Sequence, residues 1–453
     1  MNAVYDRLGV AALMLAVLLA VLDYSVVNVA LPALSQALKA TSAASIWVVN
    51  AYQIASCTML LPAGALAQRW GARRICLTGL GVLIAGSVGC AAARDITMLA
   101  AARIVQGLGG AAILSVSADL FRRLYPPAAI GRALALSSMT ASIAVAIGPS
   151  VAAVVLHVMS WRGLFLFNIP LGLVAFGLGW RFLPRASGLA SARLDLRAVI
   201  LNALAFGGVL LGGDWLAHGG NRAGGLCLLA AGCAALAAFV TVERRREHPM
   251  LPLDLLGRPA FSIAALTCAM GYLAANFFMV SIPFALTRDA GRSVEEGGLL
   301  LTGWPVGIVL IAQVAGRLSD RLSASVVSSC GLGIVGAAYS MTAFIRPESS
   351  DFSILARFLL AGIGFGLFVS PNNRALMLAA PHARSAGASA LLSLARLLGQ
   401  TCGAMATAFV FARVAQDRTT VCLLAGAGTA WVAAVLSAGR AWLPAAALPI
   451  GRS

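Results

Sequence analysis

A single carboxylate stands inside the first long apolar stretch of the chain. The stretch runs from about Gly9 to Leu31, and these roughly 23 residues can cross a bilayer at about 1.5 Å per residue. At about 100° per residue, Asp23, Tyr24 and Asn28 share an arc of roughly 140°, so the polar groups face one way. A charged Asp at mid-membrane costs about 2.5–3.5 kcal/mol, and such residues mark ion or substrate pathways. We therefore interpret Asp23 as a proton-binding group; a structural acid that joins two helices is the alternative.

Arg103, in the fourth apolar stretch, is the residue that could balance this acid. Asp23 is about eight residues from the outer end of its stretch, or about 12 Å deep, and Arg103 is about six residues, or about 9 Å, deep in its own. The two could therefore meet at one level, and mutual pairing offsets the cost of each buried charge. Burial favours a neutral acid and a nearby guanidinium favours the ionised form, so such an acid can exchange a proton. A purely structural ion pair is the alternative.

Other polar residues within apolar stretches are candidates for lining a substrate cavity. Asn50 and Gln53 are one helical turn apart, and Arg396 and Gln400 share one helix face. The predicted cavity residues are Tyr24, Asn28, Asn50, Gln53, Gln106, Asn276, Gln313, Arg396 and Gln400. Asp214 lies close to the end of its stretch and is expected to be solvated.

The composition indicates which class of protein must hold these residues. The chain has 453 residues, of which 60% are hydrophobic and 11% charged, whereas soluble domains carry about 25% charged residues. Apolar runs long enough to span a membrane recur throughout, and the alternating segments typical of barrel strands are absent. The sequence predicts an all-α polytopic membrane protein. Its fourteen spans are predicted at about 9–31, 46–67, 75–93, 97–118, 130–155, 163–183, 196–217, 224–242, 259–286, 297–318, 324–345, 352–370, 384–411 and 420–443.

The positive charges predict an orientation in the membrane. Of the 33 Lys and Arg residues, 21 fall in the tails and even-numbered turns, 9 on the opposite side, and 3 inside spans. Because cytoplasmic loops carry the excess of Lys and Arg, both termini are predicted in the cytoplasm. The net charge of +17 therefore indicates a lipid bilayer as partner, and no nucleic acid. The shortage of Lys beside many Arg and Ala suggests a GC-rich bacterial genome. We therefore expect the protein in a bacterial cytoplasmic (inner) membrane, where a monomer is compatible with the pattern.

Two long links divide the chain into three parts. They flank the seventh and eighth spans and suggest an N-terminal six-helix bundle (1–183), two inserted transmembrane helices (184–258) and a C-terminal six-helix bundle (259–453). The motif that contains Arg103, Gly107 and Gly109 has a counterpart at Arg357, Gly362 and Gly364. A repeat of six spans places a substrate site between the halves, near the midplane. Chance similarity between Gly-rich helices is the alternative.

Four segments of the sequence together resemble one transporter family. They are Leu22-Asp23-Tyr24-Ser25-Val26-Val27-Asn28-Val29-Ala30-Leu31-Pro32, Trp47-Val-Val-Asn50-Ala-Tyr52, Trp161-Arg162-Gly-Leu-Phe165-Leu-Phe-Asn168-Ile-Pro170-Leu-Gly172 and His248-Pro249-Met-Leu-Pro-Leu253. In this order they resemble segments of the drug:proton antiporters with fourteen spans, a branch of the major facilitator superfamily. The resemblance covers nearly the whole chain. It implies the major facilitator fold, with two six-helix bundles plus two inserted helices.

A loop motif after the second span resembles the conformational switch of this superfamily. The family motif is Gly-x-Leu-Ala-Asp-Arg-x-Gly-Arg-Arg, and this chain has Gly64-Ala-Leu66-Ala-Gln68-Arg69-Trp-Gly71-Ala-Arg73-Arg74. The family Asp joins a charge cluster that latches one conformation, but Gln68 replaces it here. We therefore expect Asp119 to pair with Arg69 or Arg73, and Gly64 and Gly71 to permit the turn. A second copy of the motif keeps Asp320 and Arg321; loop anchoring is the alternative role for the arginines.

Two further motifs carry the resemblance into the spans. Arg103-x-x-Gln106-Gly107 resembles the fourth-span motif that the family links to proton transfer. The segment Ala144-Val-Ala-Ile-Gly148-Pro149-Ser-Val-Ala152-Ala153 resembles the antiporter motif Gly-x-x-x-Gly-Pro-x-x-Gly-Gly, with Ala at three glycine positions. Ordinary packing of small residues is the alternative for Gly148 and Pro149.

The residues and the resemblance together imply a proton-coupled antiporter. It would export lipophilic, cationic drugs by alternating access, with Asp23 and Arg103 as the proton-coupling pair and the proton gradient instead of a cofactor. Export of a single metabolite or antibiotic is the alternative within this class. The chain lacks His-Glu-x-x-His, Gly-x-Ser-x-Gly and Gly-Lys phosphate motifs, so we expect no enzyme; its nine Cys lack metal-ligand spacing, so we expect no metal. A sensor or scaffold would need a soluble domain or a long tail, and the predicted cytoplasmic ends are short.

Overall fold

The computed structural model describes residues 3–125, 130–185, 195–217, 221–246, 251–381 and 384–440. Regular structure in these ranges is helical. The α-helices are α1 (Ala3–Ala37), α2 (Ser42–Trp70), α3 (Ala72–Ala92), α4 (Ile96–Leu124), α5 (Ile130–Val158), α6 (Gly163–Leu166), α7 (Asn168–Phe182), α8 (Leu196–Ala217), α9 (Arg222–Arg244), α10 (Leu253–Leu256), α11 (Pro259–Phe284), α12 (Val294–Leu301), α13 (Gly303–Arg321), α14 (Ala324–Thr342), α15 (Asp351–Leu378), α16 (Ser385–Arg413) and α17 (Arg418–Gly439). A π-helical turn, Ala285–Asp289, extends α11.

Thirteen segments among the described residues are long and apolar enough to cross a membrane. The short helix α6 forms one such segment with α7, and α12 forms another with the first part of α13. Helix α5 adds a shorter apolar segment, Ile143–Val158. The predicted all-α polytopic membrane fold is therefore confirmed.

The helices form two bundles and an inserted pair. Helices α1 to α7 pack on one another, as do α11 to α17. The inserted helices α8 and α9 pack together, and α8 also contacts α2 and α16, one helix from each bundle. The inserted pair therefore lies beside the seam between the bundles. The limits after residues 183 and 258 fall between helices; as domain limits they stay predictions.

The internal repeat is visible in how two glycines pack. A Cβ on Gly107 of α4 would overlap the carbonyl oxygen of Tyr52 in α2, and a Cβ on Gly362 of α15 would overlap that of Trp304 in α13. Neither position can carry a side chain in this packing. The same closeness recurs between α3 and α4 at Gly79 and Gly109, and between α14 and α15 at Gly331 and Gly364. The repeat predicted from the sequence is therefore confirmed by the packing of both bundles.

The two bundles meet at the end that the charge distribution assigns to the outside. A Cβ on Gly298 of α12 would lie 3.0 Å from the Cβ of Ala153 and 3.3 Å from the carbonyl oxygen of Pro149, both in α5. Val29 of α1 and Leu301 of α12 are buried at this junction. The seam is therefore closed at this end in the structure.

Candidate functional site

Asp23 and Arg103 meet inside the first bundle. Asp23 lies within the long apolar helix α1, and Arg103 lies two turns into α4, whose first turn is capped by Asp95. Arg103 donates through Nη1 to Oδ2 of Asp23, and both side chains are 0% exposed. The depth estimate from the sequence therefore brought together the right two residues. Their part in proton coupling stays a prediction.

Two amides complete the surroundings of the Asp23 carboxylate. Asn168, at the start of α7, donates to Oδ1 at 2.6 Å, and Gln106 donates to the same oxygen at 3.1 Å. Gln106 also accepts from Nη1 of Arg103 at 2.8 Å and donates to the hydroxyl of Ser87 at 2.8 Å. Gln106 therefore belongs to the buried cluster, and its predicted place in the substrate cavity is wrong. The reason is that it follows Arg103 by three residues and shares its face of α4.

Tyr52 connects this cluster to the seam between the bundles. The guanidinium of Arg103 lies 4.4 Å from the centre of the Tyr52 ring, and its Nε donates to the carbonyl oxygen of Val48 at 3.4 Å. A buried cation over an aromatic face contributes about 0.5–2 kcal/mol. The Tyr52 ring in turn stacks on Tyr24, with ring centres 6.5 Å apart.

Tyr24 forms a hydrogen bond from the first bundle to the second. Its hydroxyl donates to Oδ1 of Asn276 in α11 at 2.7 Å. Asn28 donates back to the carbonyl oxygen of Tyr24 at 3.0 Å. Gln53 of α2 is also buried, with 1% of its surface exposed, and lies next to Tyr24. These predicted cavity residues therefore lie together at the seam.

Arg396 lies in α16, which packs on α2 of the first bundle and on α11 of the second. Its side chain is half-buried. Gln400 follows one turn later and is also half-buried. The side chain of Gln313 lies outside the part of the chain that the structure describes.

Asn50 faces a different neighbour. Its amide donates to Oδ1 of Asp214 in α8, and Asp214 is 3% exposed. Asn202 of α8 adds a hydrogen bond to the carbonyl oxygen of Thr58 at 2.8 Å. The predictions of a cavity-lining Asn50 and a solvated Asp214 are therefore wrong. Periodicity gives the face of a helix, but it does not show that α8 covers this face of α2.

The switch motif is also arranged differently from the prediction. Asp119 pairs with Arg123, one turn later on the surface of α4, at 2.8 Å, and not with Arg69 or Arg73. Arg73 instead donates to the carbonyl oxygen of Trp180 near the end of α7. The pair of Asp119 and Arg123 requires no tertiary contact, because the two residues are four apart on one helix. Arg73 is attracted to Trp180 because the carbonyls at the C-terminus of a helix lack partners and carry partial negative charge.

Gly71 alone makes the turn between α2 and α3. It has φ +89°, and its N–H donates to the carbonyl oxygen of Ala67 at 2.8 Å. Gly64 lies inside α2, with nothing within 4 Å of a Cβ placed there, so its predicted role in the turn is wrong. In the second copy Arg321 is exposed at the end of α13, and the side chain of Asp320 is outside the described part.

Gly148 and Pro149 lie where α5 crosses α1. A Cβ on Gly148 would overlap the side chain of Ser25, so the crossing requires glycine. Pro149 has no N–H for the carbonyl group of Val145, and the hydroxyl of Ser25 donates to that carbonyl at 3.2 Å. The pair thus fixes α5 close to Asp23; its part in antiport stays a prediction.

Sequence reasoning missed Asn168 and Tyr52 as members of the site. Both occur in segments that carry the family resemblance. The rule that identified Asp23, that polar groups inside a span are costly, could also have identified Asn168. Tyr52 gives no comparable signal, because its ring is ordinary in an apolar helix. No group of three or more His, Cys, Asp or Glu residues that could hold a metal ion occurs in the described ranges.

Comparisons with known proteins agree with this architecture. The family model of the Major Facilitator Superfamily matches residues 13–249 and 261–450. Solved structures of the same fold include peptide transporter POT in complex with sulfate (TM-score 0.73, 16% identity, 96% of this chain and 94% of that chain). A bacterial homologue of the lysosomal transporter Spinster, in an inward-facing conformation, gives a TM-score of 0.68 at 17% identity, with 98% and 100% covered.

Several relatives are named as transporters or resistance proteins. Uncharacterized transporter YebQ of Escherichia coli (strain K12) is 39% identical, with 96% of both chains covered. Methylenomycin A resistance protein of Streptomyces coelicolor is 29% identical, with 95% of this chain and 91% of the relative covered. Multidrug resistance protein Stp of Mycobacterium tuberculosis is 28% identical, with 84% and 71% covered. The chain therefore belongs to the Major Facilitator Superfamily, and its relatives there include proteins named for resistance to drugs.

Proposed function

We propose that this protein is a secondary transporter that exports lipophilic small molecules from bacteria in exchange for protons. It would lie in the cytoplasmic membrane with both termini inside and would be driven by the proton gradient alone. The relatives named for resistance to multiple drugs or to methylenomycin A support the class of cargo. The fold supports alternating access by rocking of the two bundles.

The buried pair of Asp23 and Arg103 is the observation that carries this proposal. Both charges are enclosed by protein inside a membrane bundle, an arrangement whose cost is tolerated mainly at ion or substrate pathways. A proton on Asp23 would cancel the charge that holds the Nη1 of Arg103. The guanidinium would keep its contacts with Val48, Gln106 and the Tyr52 ring, but it would lack a counter-charge.

A contact path from this pair to the seam supports a coupling mechanism. Arg103 lies over Tyr52, Tyr52 stacks on Tyr24, and Tyr24 donates to Asn276 in the other bundle. If protonation of Asp23 moves the Arg103 guanidinium, the movement would therefore reach the hydrogen bond between Tyr24 and Asn276, which joins the two bundles. Each proton entering across about 100 mV supplies about 2.3 kcal/mol, which can support a more than tenfold cargo gradient.

Transport by the purified full chain in proteoliposomes tests the proposal. Acid-inside vesicles should accumulate a lipophilic dye as protons leave, and Asp23→Asn should abolish the dependence on the pH gradient. Asp254→Asn is the matched control, because that carboxylate is half-exposed and only 3.8 Å from Arg384 in a weak surface pair. Full pH-driven uptake by Asp23→Asn would contradict the proposal.

Export of one metabolite is the second candidate. A relative named Riboflavin transporter RibZ, of Clostridioides difficile, is 25% identical over 89% of this chain and favours a narrow range for some members of the group. Resistance to several unrelated drugs in a strain that lacks its own pumps would support the broad range. Resistance to none of them, with pH-driven transport of a single compound, would support the narrow one.

A further inference from the structure

Two amide side chains donate to the same oxygen of Asp23, but their other contacts differ. Asn168 donates to Oδ1 at 2.6 Å, and Gln106 donates to it at 3.1 Å. Arg103 donates to the other oxygen, Oδ2. All three partners are donors, so the arrangement suits an ionised carboxylate, which can only accept. A protonated Asp23 carries an O–H group and therefore needs an acceptor.

The amide of Gln106 is held in one orientation by its neighbours. Its oxygen accepts from Nη1 of Arg103 at 2.8 Å and from the thiol of Cys90 at 3.1 Å. Its nitrogen donates to Ser87 at 2.8 Å as well as to Asp23. Because a guanidinium can only donate, the atom that faces Arg103 must be the amide oxygen. A turn of this amide would break all of these hydrogen bonds and set two donors against each other.

The packing of α3 on α4 further restrains Gln106. A Cβ on Gly86 would lie 2.6 Å from Cγ of Gln106 and 2.7 Å from its backbone nitrogen. Ser87 donates its own proton to the carbonyl oxygen of Leu83 at 2.8 Å, so its oxygen is left to accept from the Gln106 amide. Gln106 is therefore a fixed donor to Asp23.

Fewer contacts restrain Asn168 in the described part of the chain. Its side chain is fully buried, its nitrogen donates to Asp23, and its oxygen has no hydrogen bond to the described residues. More than about nine in ten buried polar groups normally have a partner, so this oxygen is an unused acceptor. A half-turn of the amide exchanges two groups of nearly equal size and breaks a single hydrogen bond. It would present the oxygen of Asn168 to Asp23.

We infer that Asn168 is the group that adapts to the proton: its amide donates to the ionised Asp23 and turns to accept from the protonated one. This deepens the proposed function and rests on the proton site at Asp23. The proton binds Oδ1 of Asp23, and the new O–H donates to Oδ1 of Asn168. The hydrogen bond gained in this way replaces the one that the turn breaks. A site built from donors can thus hold a proton without moving its backbone.

The groups around Asp23 leave its own titration as the charge change near neutral pH. The titratable members of the cluster in the described structure are Arg103 of α4, Tyr52 of α2, Cys90 of α3 and Tyr24 of α1. Of these, only Arg103 is charged at neutral pH, and a guanidinium keeps its charge. From α5 and α11 the nearby partners are neutral, the Val145 carbonyl and Asn276. An amide change that follows the titration of Asp23 therefore reports on this acid.

Infrared difference spectroscopy of the purified full chain tests the turn without a transport assay. The protein carries isotope-labelled Asn, and spectra at acid and neutral pH are subtracted. The labelled C=O band of Asn168 should shift to lower frequency as the carboxylic acid band of Asp23 appears, with the same midpoint, because the amide oxygen gains a hydrogen bond. Asp23→Asn should abolish both changes; its added amide does not titrate and cancels in the difference.

Variants and a second label assign the bands. Asn168→Ala removes the labelled amide, and Asn168→Gln replaces it by an unlabelled one, so either variant that folds identifies the band. Gln106 is the matched control within the same site. In protein labelled at Gln, the band assigned with Gln106→Asn should keep its frequency, because the donors to this amide stay in place.

The outcomes separate this inference from the proposed function. Titration of Asp23 with an unmoved Asn168 band, or with a shift of the Gln106 band instead, would overturn the turn and leave antiport standing. Absence of any acid band that depends on Asp23 would overturn both. A coupled shift of Asn168 in protein that shows no pH-driven dye uptake would keep the amide turn and overturn antiport.

Discussion

The hydroxyl of Ser25 donates to the carbonyl oxygen of Val145, at 3.2 Å, across the contact between α1 and α5. In a regular helix this carbonyl would accept from the N–H of residue 149, but Pro149 has none. A carbonyl left unpaired in a membrane is costly, and neighbouring hydroxyls commonly satisfy it. The same stretch of α1 thus holds Asp23 toward α4 and satisfies the proline of α5.

Removal of this hydroxyl should destabilise the protein by a predictable amount. We expect Ser25→Ala to lower the free energy of unfolding by about 1 kcal/mol, since one neutral hydrogen bond is lost and the carbonyl remains unpaired. Pro149→Ala restores the helical N–H, so Ser25→Ala in that background should cost less than half as much. Thermal or denaturant unfolding in detergent measures both, and equal costs in the two backgrounds would contradict the assignment.

The amide of Asn168 should influence the pH dependence of transport. Its donor, 2.6 Å from Oδ1 of Asp23, stabilises the ionised carboxylate. Asn168→Ala removes that donor, so the Asp23 carboxylate should bind a proton at higher pH than in the wild type. We expect the pH of half-maximal transport to rise by about one unit, because a hydrogen bond to a charged group contributes about 1.5–3 kcal/mol and 1.36 kcal/mol corresponds to one unit.

Initial rates of dye uptake across a pH series measure this effect. Ser87→Ala is the control, because Ser87 accepts from Gln106 and does not contact Asp23. Its profile should move less than that of Asn168→Ala. A fall in the half-maximal pH for Asn168→Ala, or equal shifts in both variants, would show that the amide does not act on the carboxylate charge.

The sequence predicted the helices and the central ion pair because both follow from the cost of polar groups in lipid. Runs of apolar residues reveal spans, and a residue count gives depth, so Asp23 and Arg103 could be paired without a structure. The faces of single helices were also predictable. The helix that covers each face was not predictable, because it is decided by packing between helices that are far apart in the sequence. Asn50 was misplaced for this reason.

The switch motif shows a second limit of sequence reasoning. Asp119 lies at the same depth in the membrane as several arginines, so depth alone does not show which of them is its partner. The structure gives it Arg123, four residues away on the same helix, because that contact needs no ordering of a second element. Arg73 then donates to the carbonyl oxygen of Trp180 near the C-terminus of α7. This partner is a backbone group, so the types of the side chains in the sequence do not reveal it.

The hydrogen bond from Tyr24 to Asn276 should bias the conformational equilibrium. It joins the bundles in the state whose outer end is closed, so Tyr24→Phe should favour opening by about 1 kcal/mol, or about fivefold in population. Leu301→Cys, at the buried outer junction, reports opening through labelling by a membrane-impermeant maleimide. The exposed cysteines Cys227, Cys233 and Cys330 are first replaced by Ser.

The rate of labelling should rise about fivefold with Tyr24→Phe and about as much with Asn276→Ala. The double variant should add little, because each change removes the same bond. Tyr339→Phe is the control, since the hydroxyl of Tyr339 is buried inside the second bundle and forms no hydrogen bond to the described residues of the first bundle. Additive effects, or equal acceleration by Tyr339→Phe, would contradict a bond that holds the bundles together.

The two glycines of the switch motif should behave oppositely on substitution. Gly71→Ala forces an L residue to φ +89°, and such backbone conformations cost about 1–3 kcal/mol. Gly64→Ala adds a methyl group into open space inside α2 and should leave stability unchanged or raise it by up to about 1 kcal/mol. Thermal unfolding of both variants in the same detergent makes the comparison. If Gly64→Ala keeps full stability but slows transport, the glycine serves the inward–outward change, where another helix must approach α2 closely; if it destabilises this state, the helical position assigned to Gly64 is wrong.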